Sequence, residues 1–163
     1  MNFHEGDSVM HWTHGLGKVV RLEERALSEE PILYYSVEIG DMTVWVPADD
    51  MLETRLRRPT RAADFKKLMV TLSEPGEPLP EDRRERKTLL LDWLKDGRTA
   101  SLIRVIRSLS TLRQAHSLSV DEQAFLKRAR SALLGEWSYA MSVPLAEAET
   151  ELGRLLTPDP SAA

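Results

Sequence analysis

The stretch ILYYSVEIGDMTVWVP, residues 32–47, decides the fold. It holds two runs rich in Val, Ile, Tyr and Trp, Ile32–Ile39 and Met42–Pro47, with Gly40-Asp41 between them. β-Branched and aromatic side chains suit a pleated backbone, and glycine takes turn angles that other residues resist, so the stretch reads as a hairpin. Val44 and Val46 alternate with Thr43 and Trp45, as in a strand with one buried face. Working outward, Ser8–Trp12 and Lys18–Leu22 are further strand candidates, bordered by the turn-like His4-Glu5-Gly6-Asp7 and His14-Gly15-Leu16-Gly17. Several short strands, too few for a sandwich, predict a small, strongly bent barrel.

Beyond Asp49 the pattern changes to helical spacing. Ala62, Phe65, Leu68, Met69 and Leu72 recur at intervals of three and four, predicting a helix over Arg61–Leu72. Residues 73–80, SEPGEPLP, carry three prolines and a glycine and read as a connector. A second helix fits Arg83–Lys95, ended by Asp96-Gly97. A third fits Ala100–Leu112, with Leu102, Val105, Ile106, Leu109 and Leu112 on one side. Ser119 and Glu122 have capping-box spacing and open a long helix with Phe125, Leu126, Ala129, Leu133 and Trp137 on one stripe. Pro144 suits the start of a last helix, where Leu145, Ala148, Leu152 and Leu155 would face the core.

The expected fold class is therefore α+β: an N-terminal β-barrel over residues 1–56, a linking helix with a Pro-rich hinge over 57–82, an all-α domain over 83–156 and a disordered tail over 157–163.

The chemistry of enzymes is hard to find in this chain. It has no cysteine, which removes disulfides, thiolate zinc sites and a cysteine nucleophile, and fits a reducing cytoplasm. No run of about 18 apolar residues suggests a membrane span. His4, His11 and His14 have only Glu5 and Asp7 nearby, too loose a set for a metal, so no metal or cofactor is expected. The loop His14–Lys18 precedes a strand, not a helix, and does not match a phosphate-cradling loop. No serine sits in G-x-S-x-G. The charge is more informative. Between Arg83 and Arg113 nine Lys and Arg face only Glu85, Asp92 and Asp96, in a chain of net charge −4. A local basic patch, not the total charge, makes the field that a phosphate backbone feels. A solvated helical face is the competing reading of the same residues.

Phe3-x-x-Gly6-Asp7-x-Val9-x-His11-x-x-His14-Gly15-x-Gly17-Lys18-Val19 resembles the opening of the CarD/CdnL family of bacterial transcription regulators, an opening shared with the polymerase-interaction domain of the transcription–repair coupling factor. Tyr34-Tyr35-x-Val37 and Asp41-Met42-Thr43-Val44-x-Val46-Pro47 are similar to the second half of that domain. Lys95-Asp96-Gly97, Val105-Ile106-Arg107-x-Leu109 and Leu118-Ser119-x-x-Glu122-x-x-x-Leu126-x-x-Ala129 follow the family's spacing in the helical part. The likeness covers residues 1–156 and is of the short, stand-alone type.

The resemblance implies a Tudor-like, SH3-like barrel that docks on the RNA polymerase β subunit by pairing strand edges, through Met42, Thr43, Val44, Trp45, Val46 and Pro47 with Arg25 beside them. Trp45 stands where some relatives carry a basic residue; its alternation with the two valines favours an outward anchor. The helical domain would contact promoter DNA at the upstream edge of the bubble, with Arg83, Arg84, Arg86, Lys87, Arg98, Arg104 and Arg107 as candidate contacts. Some relatives insert a tryptophan wedge near the start of this domain's first helix. Residues 79–87 here carry no aromatic, and Trp93 has core spacing beside Leu90 and Leu94. The expectation is a cytoplasmic, monomeric, non-enzymatic regulator that stabilises the open complex. The alternative is an adaptor on polymerase whose helical domain binds another protein.

Overall fold

The computed structural model describes residues 3–26 and 29–157. The chain divides into two compact units, one up to Pro59 and one from Thr60 onward. The first holds strands β1 (Ser8–His11), β2 (Gly15–Arg25), β3 (Ile32–Ile39), β4 (Met42–Pro47) and β5 (Leu56–Arg57), with a 3-10 turn at Leu52–Thr54. They form one antiparallel sheet in the order β4-β3-β2-β1-β5. This is the α+β arrangement of a Tudor-like domain followed by helices.

Strands β3 and β4 have the bounds that the sequence predicts. Ile39 pairs with Met42, so Gly40-Asp41 is a two-residue hairpin loop, with Gly40 at φ +59°. Strand β2 is longer than Lys18–Leu22. Its charged end, Glu23-Glu24-Arg25, pairs with Tyr34, Leu33 and Ile32, a register held by backbone groups and so without an apolar signal. The core gathers Phe3, Val9, Val19, Tyr35, Val37, Ile39, Val46, Leu52 and Leu56. Gly17 lies so close to β3 that a Cβ there would stand 2.6 Å from Ile39 Cγ1 and 2.8 Å from Val37 Cγ1.

The second unit contains α1 (Ala62–Val70), a 3-10 turn (Thr71–Ser73), α2 (Arg83–Asp96), α3 (Thr99–Ala115), α4 (Val120–Met141) and α5 (Leu145–Leu156). The capping box at Ser119 and Glu122 forms, and Gly97 ends α2 in the left-handed conformation at φ +66°. Phe65 and Leu72 are buried in the same core as Leu90, Trp93, Ile106, Leu133 and Leu152, so α1 is part of this unit and not a separate linker. Leu145 departs from its expected place: it is 54% exposed, whereas Ala148 and Leu152 are buried. The expected tail beyond Thr157 lies outside the described residues.

The stretch read as a hinge is fastened to α3. Arg107 donates from Nε to the Glu74 carbonyl at 3.1 Å and from Nη2 to the Pro75 carbonyl. The Gly76 N–H donates to Thr111 Oγ1 at 3.2 Å, and Arg104 holds Glu77 through two hydrogen bonds. A Cβ on Gly76 would meet the Arg107 carbonyl oxygen at 2.5 Å. Backbone cannot yield as a side chain can, so Gly76→Ala should cost about 2 kcal/mol by overpacking. Urea unfolding followed by far-UV circular dichroism measures this; an unchanged midpoint would mean that the segment lifts freely from α3.

Candidate functional site

Strand β4 is an edge strand. It pairs with β3 on one side, and among the described residues no other strand pairs with its outer side. Such an edge presents unpaired backbone donors and acceptors to another chain. Val46 is buried and Val44 half-buried, whereas Met42, Thr43 and Trp45 are exposed. The valines therefore face the core and offer a partner only their backbone, while Thr43 and Trp45 offer side chains.

Trp45 is 40% exposed and held in a defined orientation. Its indole Nε1 donates to Glu23 Oε1 at 2.6 Å, and the Arg25 guanidinium lies 4.3 Å from the ring centroid. Arg21 pairs with the other Glu23 oxygen at 2.8 Å. The hydrogen bond from Trp45, with help from Arg21 and Arg25, holds the Glu23 carboxyl below its usual range. An aromatic anchor fixed in this way loses little rotamer freedom on binding. Sequence reading places Arg25 and Trp45 together but misses Glu23, because adjacent acids near a strand end look like solvated turn residues.

The candidate DNA contacts fall into two groups. Arg83 and Arg84 are exposed in the first turn of α2. Lys87 pairs with Asp121 at 3.2 Å with both side chains more than half exposed, and Arg98 lies 3.8 Å from Asp96 with its side chain 80% exposed. These four cations are accessible. The others are occupied. Arg86 is largely buried, pairing with Glu122 at 2.5 Å and donating to the carbonyls of Pro80 and Glu81. Arg107 clamps the Pro-rich segment and is equally buried. Arg104 is divided between Glu77 and the face of Trp93, 4.4 Å from its centroid. As expected, Trp93 is a core residue and not a wedge. Arg86 and Arg107 are therefore structural, a correction to the reading of all seven cations as one surface.

The N-terminal histidines serve local structure. His11 is buried, and its Nδ1 accepts from the N–H groups of Thr13 at 3.1 Å and His14 at 3.2 Å. Among the described residues no group of three His, Cys, Asp or Glu is placed to hold a metal ion, and no helix is long and apolar enough to cross a membrane.

Residues 3–59 match the family model of the CarD-like/TRCF RID domain, and residues 67–153 match that of the CarD C-terminal domain. With the fold, these matches define a transcription regulator built from a Tudor-like domain, of the kind that interacts with RNA polymerase, and a helical domain. The chain belongs to the CarD family. It is similar to YdeB of Bacillus subtilis (strain 168), named as a transcription factor, with 28% identity over 136 residues that cover 82% of this chain and 89% of the relative.

Proposed function

We propose that this chain docks on the RNA polymerase β subunit through β4 and stabilises the open promoter complex through the exposed cations of its helical unit, without enzymatic chemistry. The observation that supports this most is the open edge of β4 with Trp45 held beside it by Glu23 and Arg25. A partner strand would complete the sheet, with main-chain bonds giving affinity and the exposed Trp45 anchor giving register.

Arg83, Arg84, Lys87 and Arg98 contact promoter DNA at the upstream edge of the bubble. Phosphate contacts supply affinity and orientation without reading bases. Four contacts are weak alone, but tethering by polymerase raises the effective DNA concentration to roughly millimolar. The start of α2 carries no aromatic and Trp93 is buried, so melted DNA is held by charge rather than by insertion. Only contacts stronger in the open than in the closed state shift that equilibrium. One monomer in the cytoplasm serves one polymerase.

Arg25→Glu and Trp45→Ala should each weaken capture of the purified β subunit by about tenfold or more, the loss expected of an interface hot spot. Undiminished binding by both variants would show that docking uses another surface. With wild-type protein, open complexes on a purified promoter should live longer. An unchanged lifetime counts against the mechanism. An unchanged footprint in an Arg83→Glu, Arg84→Glu, Lys87→Glu variant would favour an adaptor whose helical unit binds protein.

A further inference from the structure

A groove of about 870 Å³ runs along one side of α4, and neither the β4 residues nor the candidate DNA-contacting cations line it. Its lining residues on α4 recur at helical spacing from Gln123 to Gly135, a length of about 18 Å at the rise of an α-helix. The exposed Leu145 and the outer edges of the otherwise buried Leu118, Leu126 and Leu134 supply an apolar floor, and Arg113, Lys127 and Arg130 supply cations at its margin against one carboxylate, Glu149. Arg113, Lys127 and Arg130 have no ion-pair partner among the described residues. Arg113 and Arg130 also border an adjoining polar recess of about 310 Å³ with Ser110 and Gln114.

Leu145 is the informative residue. In an amphipathic helix whose Ala148 and Leu152 are buried, a leucine 54% exposed in the first turn is surface without an internal partner. We propose that this groove binds an acidic amphipathic helix of about twelve residues from a partner protein, its apolar side chains on the leucine floor and its carboxylates on Arg113, Lys127 and Arg130. The length follows from the groove, since a docked helix rises at the same rate as α4. The sign of charge follows from the margin, where unpaired cations in a chain of net charge −4 select an anion. The apolar floor selects protein over nucleic acid, because a phosphate backbone leaves buried leucines without a counterpart, whereas an amphipathic helix covers them. The chain's own residues 158–163, PDPSAA, contain no large apolar side chain to fill the floor. This surface shares no residue with β4 or with the accessible cations of α2 and Arg98, so it stands or falls separately from the promoter reading.

A phage-displayed library of random twelve-residue peptides is panned on the full chain. Enriched peptides should carry two or three large apolar residues at helical spacing with Asp or Glu between them. The synthetic consensus peptide should bind with an affinity reduced about tenfold by Lys127→Glu with Arg130→Glu, and also reduced by Leu145→Glu. All three positions lie on the surface of folded helices, so unchanged circular dichroism serves as the control. The polymerase-dependent promoter footprint should stay unchanged in the same variants. Absence of enrichment, a basic consensus, or affinity indifferent to these substitutions would overturn the proposal. So would enrichment that appears only when the panning is repeated on a chain lacking residues 158–163, because those residues would then be the occupant.

Discussion

Glu136→Ala is expected to destabilise the helical unit by about 4 kcal/mol, from two hydrogen-bond donors left without their acceptor at about 2 kcal/mol each. Glu136 is fully buried in α4. One carboxylate oxygen accepts from the Thr60 N–H at 2.8 Å and the other from Thr99 Oγ1 at 2.8 Å, while the two threonine hydroxyls stand 2.6 Å apart. The carboxyl group thus joins the first residue of the second unit, the first residue of α3 and the C-terminal third of α4. Alanine would leave the half-buried Thr60 N–H and the buried Thr99 hydroxyl without this acceptor, each costing about 1–3 kcal/mol. Glu136→Gln keeps an acceptor oxygen and should cost less than half as much. The measurement is urea unfolding followed at 222 nm, which reports on the helices. A loss below about 1 kcal/mol for alanine would mean that water or a neighbour satisfies both threonines.

What the sequence discloses of this fold depends on how local the determinants are. The hairpin over 32–47 is legible because its strands, its turn and its alternation all lie within one short stretch. Ser119 and Glu122 are legible for the same reason, since a capping box closes over three residues. Strand β5 is not, because Leu56–Arg57 is two residues long and exists only by pairing with Met10 and His11. Nor is the true state of residues 73–80. Prolines announce a break in helix, but the groups that pin the break, Arg104, Arg107 and Thr111, lie about thirty residues downstream in α3, and no local pattern announces them. The candidate site follows the same rule. The edge strand and Trp45 come from alternation, and the basic stretch comes from counting. Counting gives the sign of a charge but not its partner, so Arg83 and Arg86 look alike in sequence while one meets solvent and the other meets Glu122.

That difference makes a sharp expectation. Arg86→Ala should destabilise the helical unit by on the order of 3 kcal/mol, the cost of stranding the other half of a buried pair, whereas Arg83→Glu with Arg84→Glu should leave the unfolding midpoint nearly unchanged and act only on promoter contact. The acid side separates the two further. Burial pushes the Glu122 carboxyl up, but the Ser119 N–H and the Arg86 guanidinium outweigh it and hold the group below its ordinary value of 4.5. A carboxylate depressed in the folded state contributes stability that is fully present above its unfolded pKa and is lost as pH falls through the folded one. The stability gap between wild type and Arg86→Ala should therefore be largest at neutral pH and shrink as pH falls below 4.5 and through the lower folded value of Glu122. Urea midpoints at pH 7 and at acid pH give the comparison. A gap that is the same at both would show that Arg86 acts by packing its stem and by its bonds to the Pro80 and Glu81 carbonyls, with the ion pair contributing nothing to the fold.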